Sequence, residues 1–275
     1  MPPRVAVVTG ASSGIGHATA VALAERGYTV IGTSRDPERI PESLRHPGIR
    51  FHALDLTDAD SIAAFAAGLD AAGAAAVDVL VNNAGESQTG PLEELPSDAV
   101  ERLFQLNVFG AVRLSQLVLP GMRERRYGRI VMVGSMLGSF PLAYRSSYVA
   151  SKAAVRGFAE AARFEVSPYG VWITTVEPGS VNTSISERRT KYCAPDSDYF
   201  ARFEATIAAL DRKESNGITA ERVAAAVVAA IEAKRPKPLY AVGSKAPLVF
   251  ALKRLLPRTA MEKITAAAFG LSATR

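Results

Sequence analysis

Residues 4–18 read RVAVVTGASSGIGHA. The short apolar run from Val5 to Val8 ends at Thr9 and Gly10, and a glycine-rich turn leads into residues that suit a helix. The run lacks polar alternation, which is the pattern of a strand buried on both faces. A turn at the carboxyl end of such a strand lies where open α/β sheets bind ligands. Glycine serves that turn twice: it reaches positive φ, and it lets backbone approach a ligand closely. The following helix then aims its N-terminal amides at a phosphate. Gly10, Gly14 and Gly16 are spaced GxxxGxG, not the GxGxxG of the general dinucleotide fingerprint.

The same kind of run recurs along the chain as YTVIGTS, IRFHALDL, VDVLVNNAG, GRIVMVGS, VWITTVEPG and PLYAVG. Between the runs lie amphipathic segments of helical length, among them GHATAVALAERG, SDAVERLFQLNVFGAVRLSQLVLPGMRER and AERVAAAVVAAIEA. This alternation predicts one α/β domain over residues 1–275, doubly wound, with a parallel sheet of about seven strands. Right-handed crossovers put helices on both of its faces. Two segments break the rhythm. Residues 180–216 are polar, aromatic-bearing and irregular, and the tail over 246–275 reads as two short amphipathic helices separated by Pro257.

Composition narrows the function classes. The chain has 275 residues, 48% hydrophobic and 21% charged, with a net charge of +5. Its basic residues are scattered among acids, so a solvated surface is expected and nucleic-acid binding is not. Cys193 is the single cysteine, which rules out an intrachain disulfide and fits a reducing compartment. His17, His46 and His52 lack metal-ligand spacing, so no metal is expected. The start reads as a strand, not a signal peptide. No run of about 18 apolar residues predicts a spanning helix. The expectation is a cytoplasmic protein.

The glycine turn resembles the TGxxxGIG motif of the single-domain short-chain dehydrogenase/reductase family. The resemblance recurs in order: NNAG from Asn82 to Gly85 ends the fourth run, Asn107 lies in the long helix after it, and Ser135 ends the fifth run. Tyr148 and Lys152 form a YxxxK pair, and EPG from Glu177 to Gly179 follows the sixth run. The resemblance implies a Rossmann fold and catalytic roles for Asn107, Ser135, Tyr148 and Lys152. It implies cofactor binding by Gly10, Ser12, Ser13, Gly14, Ile15, Gly16, Asp55, Leu56, Asn83, Ala84, Gly85, Pro178, Gly179, Val181 and Thr183, together with Tyr148 and Lys152. Simpler readings stand beside these. Asn82 and Asn83 can stabilise a strand-end turn, and Asn107 can bond to backbone. Asp55 and Thr183 can cap helices.

The end of the second run, VIGTSRDPER, bears on which nicotinamide nucleotide fits. A carboxylate there would accept hydrogen bonds from the ribose and repel a 2′-phosphate. The position holds Ser34, followed by Arg35, and a guanidinium beside a hydroxyl suits a phosphate dianion. NADP(H) is therefore expected over NAD(H). Asp36 is the competing residue; it either turns inward, favouring NAD(H), or pairs with Arg39.

The chemistry of the YxxxK pair follows from its charges. A free phenol has a pKa of about 10. A nearby ammonium favours the phenolate, and residues at i and i+4 share a helix face. Tyr148 is thus the expected acid/base, tuned by Lys152, with Ser135 bonding the substrate oxygen. The resemblance implies interconversion of an alcohol and a ketone or aldehyde. Its closest branch is the 17β-hydroxysteroid dehydrogenase-like one, whose substrates are lipophilic, steroid- or retinoid-like. Tyr192, Tyr199, Phe200 and Phe203 are candidates for one pocket wall, or for local packing. Met136, Leu137, Phe140, Leu142 and Tyr144 are candidates for the opposite wall.

Two other functions remain open at this point. One is a 3-oxoacyl thioester reductase that docks an acidic carrier on Arg123, Arg125, Arg126 and Arg129. The other is a non-catalytic NADP-binding sensor. A homodimer is expected, then a homotetramer, through the long helices that bear Leu103, Leu106, Val108, Val112, Phe158 and Ala162. The tail is read as a lid or packed helix, alternatively as an interface or a membrane-surface contact.

Overall fold

β-Branched side chains pack well on a pleated surface that is covered on both sides. In the computed structural model, which describes residues 3–71 and 77–271, the seven apolar runs form strands. These are β1 Val5–Val8, β2 Thr29–Ser34, β3 Ile49–Ala53, β4 Val77–Asn82, β5 Gly128–Val133, β6 Val171–Pro178 and β7 Leu239–Val242. All neighbours pair in parallel, in the order β3-β2-β1-β4-β5-β6-β7. The winding reverses between β1 and β4, and the connections leaving their carboxyl ends diverge to open a crevice.

The helices are α1 Gly14–Ala24, α2 Ala59–Ala71, α3 Ser97–Phe104, α4 Ala111–Glu124, α5 Ser146–Val166, α6 Phe200–Ser215, α7 Ala220–Glu232, α8 Ala246–Leu255 and α9 Arg258–Ala268. Successive strand residues point to opposite faces, and two cores result. Val7, Leu80, Ile130 and Ile173 pack with Ile62 and Phe65 of α2, Leu114 and Met122 of α4, and Val155 and Ala159 of α5. Ala6, Val8, Val79, Val81 and Val131 pack with Leu23 of α1 and Val223, Val227 and Ile231 of α7.

Three features differ from the sequence reading. The helix expected to run unbroken from Ser97 is interrupted by a π-helical turn at Gln105–Gly110, which contains Asn107. The segment expected to be irregular over 180–216 contains the 16-residue α6. Its apolar residues Phe203, Ile207 and Leu210 recur at helical spacing and are buried with Leu142. The arginines after α4 are largely committed to backbone. Arg129 is buried and donates to the carbonyls of Gly128, Ile231 and Ala233, and Arg126 donates to Pro168. The last part of the expected tail, residues 272–275, lies outside the described residues.

The glycine turn depends on one close approach. A Cβ on Gly16 would stand 2.2 Å from the Gly10 carbonyl oxygen and 2.4 Å from Asn83 Nδ2. Neither partner has room to retreat. Gly16→Ala should therefore lower stability by about 1–3 kcal/mol in denaturant titration. Gly68 of α2 has open space where a Cβ would go, and Gly68→Ala should raise stability by about 0.4–1 kcal/mol.

Candidate active site

Thr9, at the end of β1, joins that strand to β4. Its hydroxyl donates to the Val81 carbonyl at 3.3 Å and accepts from the amides of Asn83 and Ala84, both at 2.9 Å. The Asn83 amide group in turn donates to the carbonyls of Thr9 at 2.9 Å and Gly10 at 3.3 Å. Asn83 thus both lines the crevice and builds the turn. Gly10 and Gly14 have φ of 65° and 53°, left-handed values that favour glycine. Ser13 precedes α1 without a side-chain cap, so the first-turn amides of α1 face the crevice.

From this turn a continuous cavity of about 580 Å³ extends across the carboxyl ends of the strands. Ser12, Ser13, Gly14 and Ile15 line it beside Gly10, and Ser34 and Arg35 line it at the end of β2. Asp36 turns away and pairs with Arg39 at 3.2 Å. At the end of β3, Asp55 and Leu56 reach the cavity. Asp55 does not cap α2: it accepts from the Thr57 amide and hydroxyl at 2.8 and 2.7 Å. Desolvation opposes its ionisation, but the Thr57 bonds and the nearby Arg35 and Arg102 cations hold its carboxyl below the usual value. Ala84, Gly85, Pro178, Gly179, Val181 and Thr183 complete this half of the wall. The Thr183 methyl lies opposite Gly14, 3.6 Å from where a Cβ would stand.

Ser135, Tyr148 and Lys152 meet at the centre of the cavity. Ser135 ends the strand segment of β5, and its hydroxyl caps the next turn by accepting from the Leu137 amide at 3.2 Å. It also lies beside the Tyr148 phenol, near enough to favour the phenolate. Tyr148 and Lys152 lie one turn apart near the start of α5, and both are buried. The Lys152 ammonium donates to the Val133 carbonyl at 3.0 Å and lies 5.8 Å from the centre of the Tyr148 ring. Burial alone lowers its pKa to about 8. Burial also raises the pKa of Tyr148, against the lowering effects of the Arg145 cation and the Ser135 hydroxyl.

Two sequence-predicted residues stand behind the wall instead of on it. Gly16 packs beneath Gly10. Asn107 receives the Glu86 amide at 2.9 Å and donates to the Glu86 carbonyl at 3.1 Å and the Ser151 hydroxyl at 3.2 Å. Its π-turn is thereby bolted to the chain after β4 and to α5.

The expected aromatic wall is not formed. Tyr192, Tyr199, Phe200 and Phe203 are absent from the lining, as are Leu142 and Tyr144, whereas Met136, Leu137 and Phe140 are part of it. Phe203 is buried instead against Tyr144, ring edge to ring face. The facing wall comes from Leu210 of α6 and from the tail, through Val249, Met261, Ile264 and Phe269. The tail therefore forms part of the cavity wall. Sequence reasoning also missed Arg145, Arg188, Lys213 and Glu214 in the lining. An arginine three residues before Tyr148 was a visible signal for the first of these.

Among the described residues, no helix is long and apolar enough to cross a membrane, and no cluster of His, Cys, Asp and Glu could hold a metal ion.

Known proteins resemble this chain in sequence and fold. A 3-ketodihydrosphingosine reductase of Bacteroides thetaiotaomicron is 33% identical over 265 residues, covering 95% of this chain and 96% of that one. An NADPH-dependent 3-dehydrocapnine reductase of Ornithobacterium rhinotracheale is 32% identical over 270 residues, with 95% of each chain covered. The crystal structure of a short-chain dehydrogenase from Streptomyces avermitilis superposes with a TM-score of 0.81 at 33% identity, covering 96% of this chain and 98% of that one. Residues 4–193, which hold the glycine turn, the NNAG strand end and the Tyr148–Lys152 pair, match the family model for short chain dehydrogenases, and the chain belongs to that family of oxidoreductases.

Proposed function

We propose that this protein is an NADP(H)-dependent reductase of lipophilic ketones or aldehydes, reversible to alcohol oxidation. One observation carries the reading: Ser135, Tyr148 and Lys152 share a single cavity with the glycine turn on one side and an apolar wall on the other. The name of the 3-dehydrocapnine reductase, NADPH-dependent, agrees with it.

The donor set fits the dinucleotide. The uncapped first turn of α1, with Ser12 and Ser13, suits a pyrophosphate. Ser34 and Arg35 suit a 2′-phosphate, and the pairing of Asp36 with Arg39 removes the carboxylate that would repel it. Asp55 and Leu56 border the adenine end; Lys152 is the donor for ribose hydroxyls; Gly179, Val181 and Thr183 border the nicotinamide end. When bound, NADPH supplies the hydride.

The protein's own groups manage the proton. Burial keeps Tyr148 protonated at neutral pH, so the resting phenol is ready to protonate a carbonyl oxygen. Ser135 donates to that same oxygen as charge develops on it. Met136, Leu137, Phe140, Val249, Met261 and Phe269 line the cavity, Met136 and Phe140 packing with Met261 and Val249 into one apolar wall, which suits an alkyl chain or fused rings. A homodimer through α4 and α5 is the assembly we infer, because Phe109, Leu117, Phe158 and Phe164 stay exposed there while Leu103 and Val108 are buried within the protomer.

NADPH consumption with a panel of long-chain ketones, steroids and retinals tests the reading. Tyr148→Phe should cut kcat by at least about a hundredfold with NADPH affinity retained; no turnover across the panel, or unimpaired turnover by Tyr148→Phe, overturns it. Replacing Ser34 by Asp together with Arg35→Ala should lower NADPH affinity by about 10- to 100-fold, losing about 1.5–3 kcal/mol, and leave NADH affinity equal or better. Isothermal titration reads both.

Lys152 carries a stability cost that pH can expose. Its pKa falls from 10.5 unfolded to about 8 folded, so the charged form is destabilising. That cost is fully present below about pH 8 and fades as pH rises toward 10.5. Lys152→Met should therefore be the more stable protein at pH 7, by on the order of 3 kcal/mol, with the gap closing in alkaline denaturation series.

A further inference from the structure

Arg145 is a buried guanidinium that the reaction scheme above does not use. It opens α5, three residues before Tyr148, and is 2% exposed. Its central carbon lies 4.2 Å from the centre of the Tyr148 ring, closer than the Lys152 ammonium at 5.8 Å. It borders the cavity. One terminal nitrogen donates to the Ser87 hydroxyl at 2.8 Å and to the Gln88 carbonyl at 3.2 Å, while Nε has no partner.

The surroundings are built to hold this charge. Tyr144 takes a left-handed φ of 62° immediately before it. The Tyr144 carbonyl accepts from the Thr89 hydroxyl at 2.6 Å and from the Gly90 amide at 3.0 Å. Gln88 donates to the Ser147 hydroxyl at 3.0 Å. The segment 87–90 is thus bonded to 144–147 at every step, and the guanidinium has no freedom to leave the ring. A buried cation without a carboxylate partner is costly.

We propose that Arg145 is a positioning residue for the reaction, its fixed charge held over Tyr148 so that the phenolate left after proton donation is stabilised. The inference rests on Tyr148 being the acid/base. Lys152 cannot do this alone across the working range, because burial brings its pKa to about 8. Arg145, brought down only to about 10 by burial, keeps its charge where Lys152 loses it. The other groups that face the phenol are Ser135 from the end of β5, Arg189, and Glu214 of α6, with Asp211 acting on Arg145. Arg189 is bound to both Asp211 and Glu214. That cluster keeps the net charge of one carboxylate, acting on Arg145 from a distance, while Arg145 is the cation in contact with the Tyr148 ring.

The test is a phenolate titration of the NADP⁺-bound protein by near-ultraviolet absorbance. Tyr148→Phe is subtracted so that only the Tyr148 signal remains. In Arg145→Met the midpoint should move to higher pH by about one unit, a tenfold loss of phenolate below both midpoints. Arg145→Lys should restore at least half of that shift. NADPH affinity should stay within about twofold of wild type. Coincident midpoints in wild type and Arg145→Met overturn the proposal, as does a Tyr148 signal that never appears in the wild type before it unfolds. If Arg145→Met does not fold, Ser87→Ala, which frees one anchor of the guanidinium, must shift the midpoint in the same direction. Turnover by Tyr148→Phe would remove the acid/base reading itself; an inactive Tyr148→Phe with coincident midpoints removes only the role of Arg145.

Discussion

Everything at the site hangs on the bond set of Thr9. Two strands that wind away from each other leave a gap at their carboxyl ends, and nothing in sheet pairing alone fixes its width. The Thr9 hydroxyl does so by receiving the amides of Asn83 and Ala84 while donating to Val81. Thr9 is fully buried, so these bonds do not compete with water and each matters more than at a surface. Gly16 lets α1 press up under the same turn. The helix amides, the end of β2 and the end of β4 are therefore held in one fixed relation before any ligand arrives, which is the condition for binding without a large ordering cost.

The second element of the design is a division between charge that is spent on structure and charge that is left for chemistry. Arg129 and Arg163 are buried, and both give their hydrogen bonds to backbone carbonyls at strand and helix ends. Arg189 is tied to two carboxylates. Lys152 and Arg145 are different. Each is buried, neither has a carboxylate partner, and both lie against the Tyr148 ring. Buried cations without counterions are destabilising, and stability of that kind is commonly given up where an active site needs it.

The sheet was legible from sequence because its strands are continuous apolar runs that only a doubly covered parallel sheet accommodates. Val5–Val8 and Gly128–Val133 leave no alternative face for water. That Ser135, Tyr148 and Lys152 would share one cavity was legible because they sit at a strand end or one helical turn apart, where local spacing reports geometry. The substrate wall was not. Phe203 and Tyr192 drew attention as aromatics in a polar stretch, yet Phe203 belongs to a separate small core. Met261 and Phe269 reach the cavity from more than a hundred residues beyond Tyr148, and no local pattern encodes such a meeting. Arg145 shows its place in the sequence only by its spacing from Tyr148; its burial comes from the positive φ at Tyr144 and the facing segment 87–90.

The tail is joined to the catalytic helix by charge as well as by apolar contact. Glu177, fully buried at the end of β6, accepts from the Ser139 hydroxyl at 2.8 Å and faces Arg156 of α5 at 3.6 Å. Arg156 also donates to that hydroxyl. Lys253 of α8 reaches into the same cluster, donating to the Ser139 carbonyl at 2.7 Å and lying 5.0 Å from the centre of the Phe140 ring. Burial alone would favour a neutral Glu177, and its pKa is raised; Ser139 and the two cations work against that. Lys253 thus ties the tail by contact to the segment around Ser139 and Glu177, and Glu177 directly precedes Pro178 and Gly179 in the cavity wall.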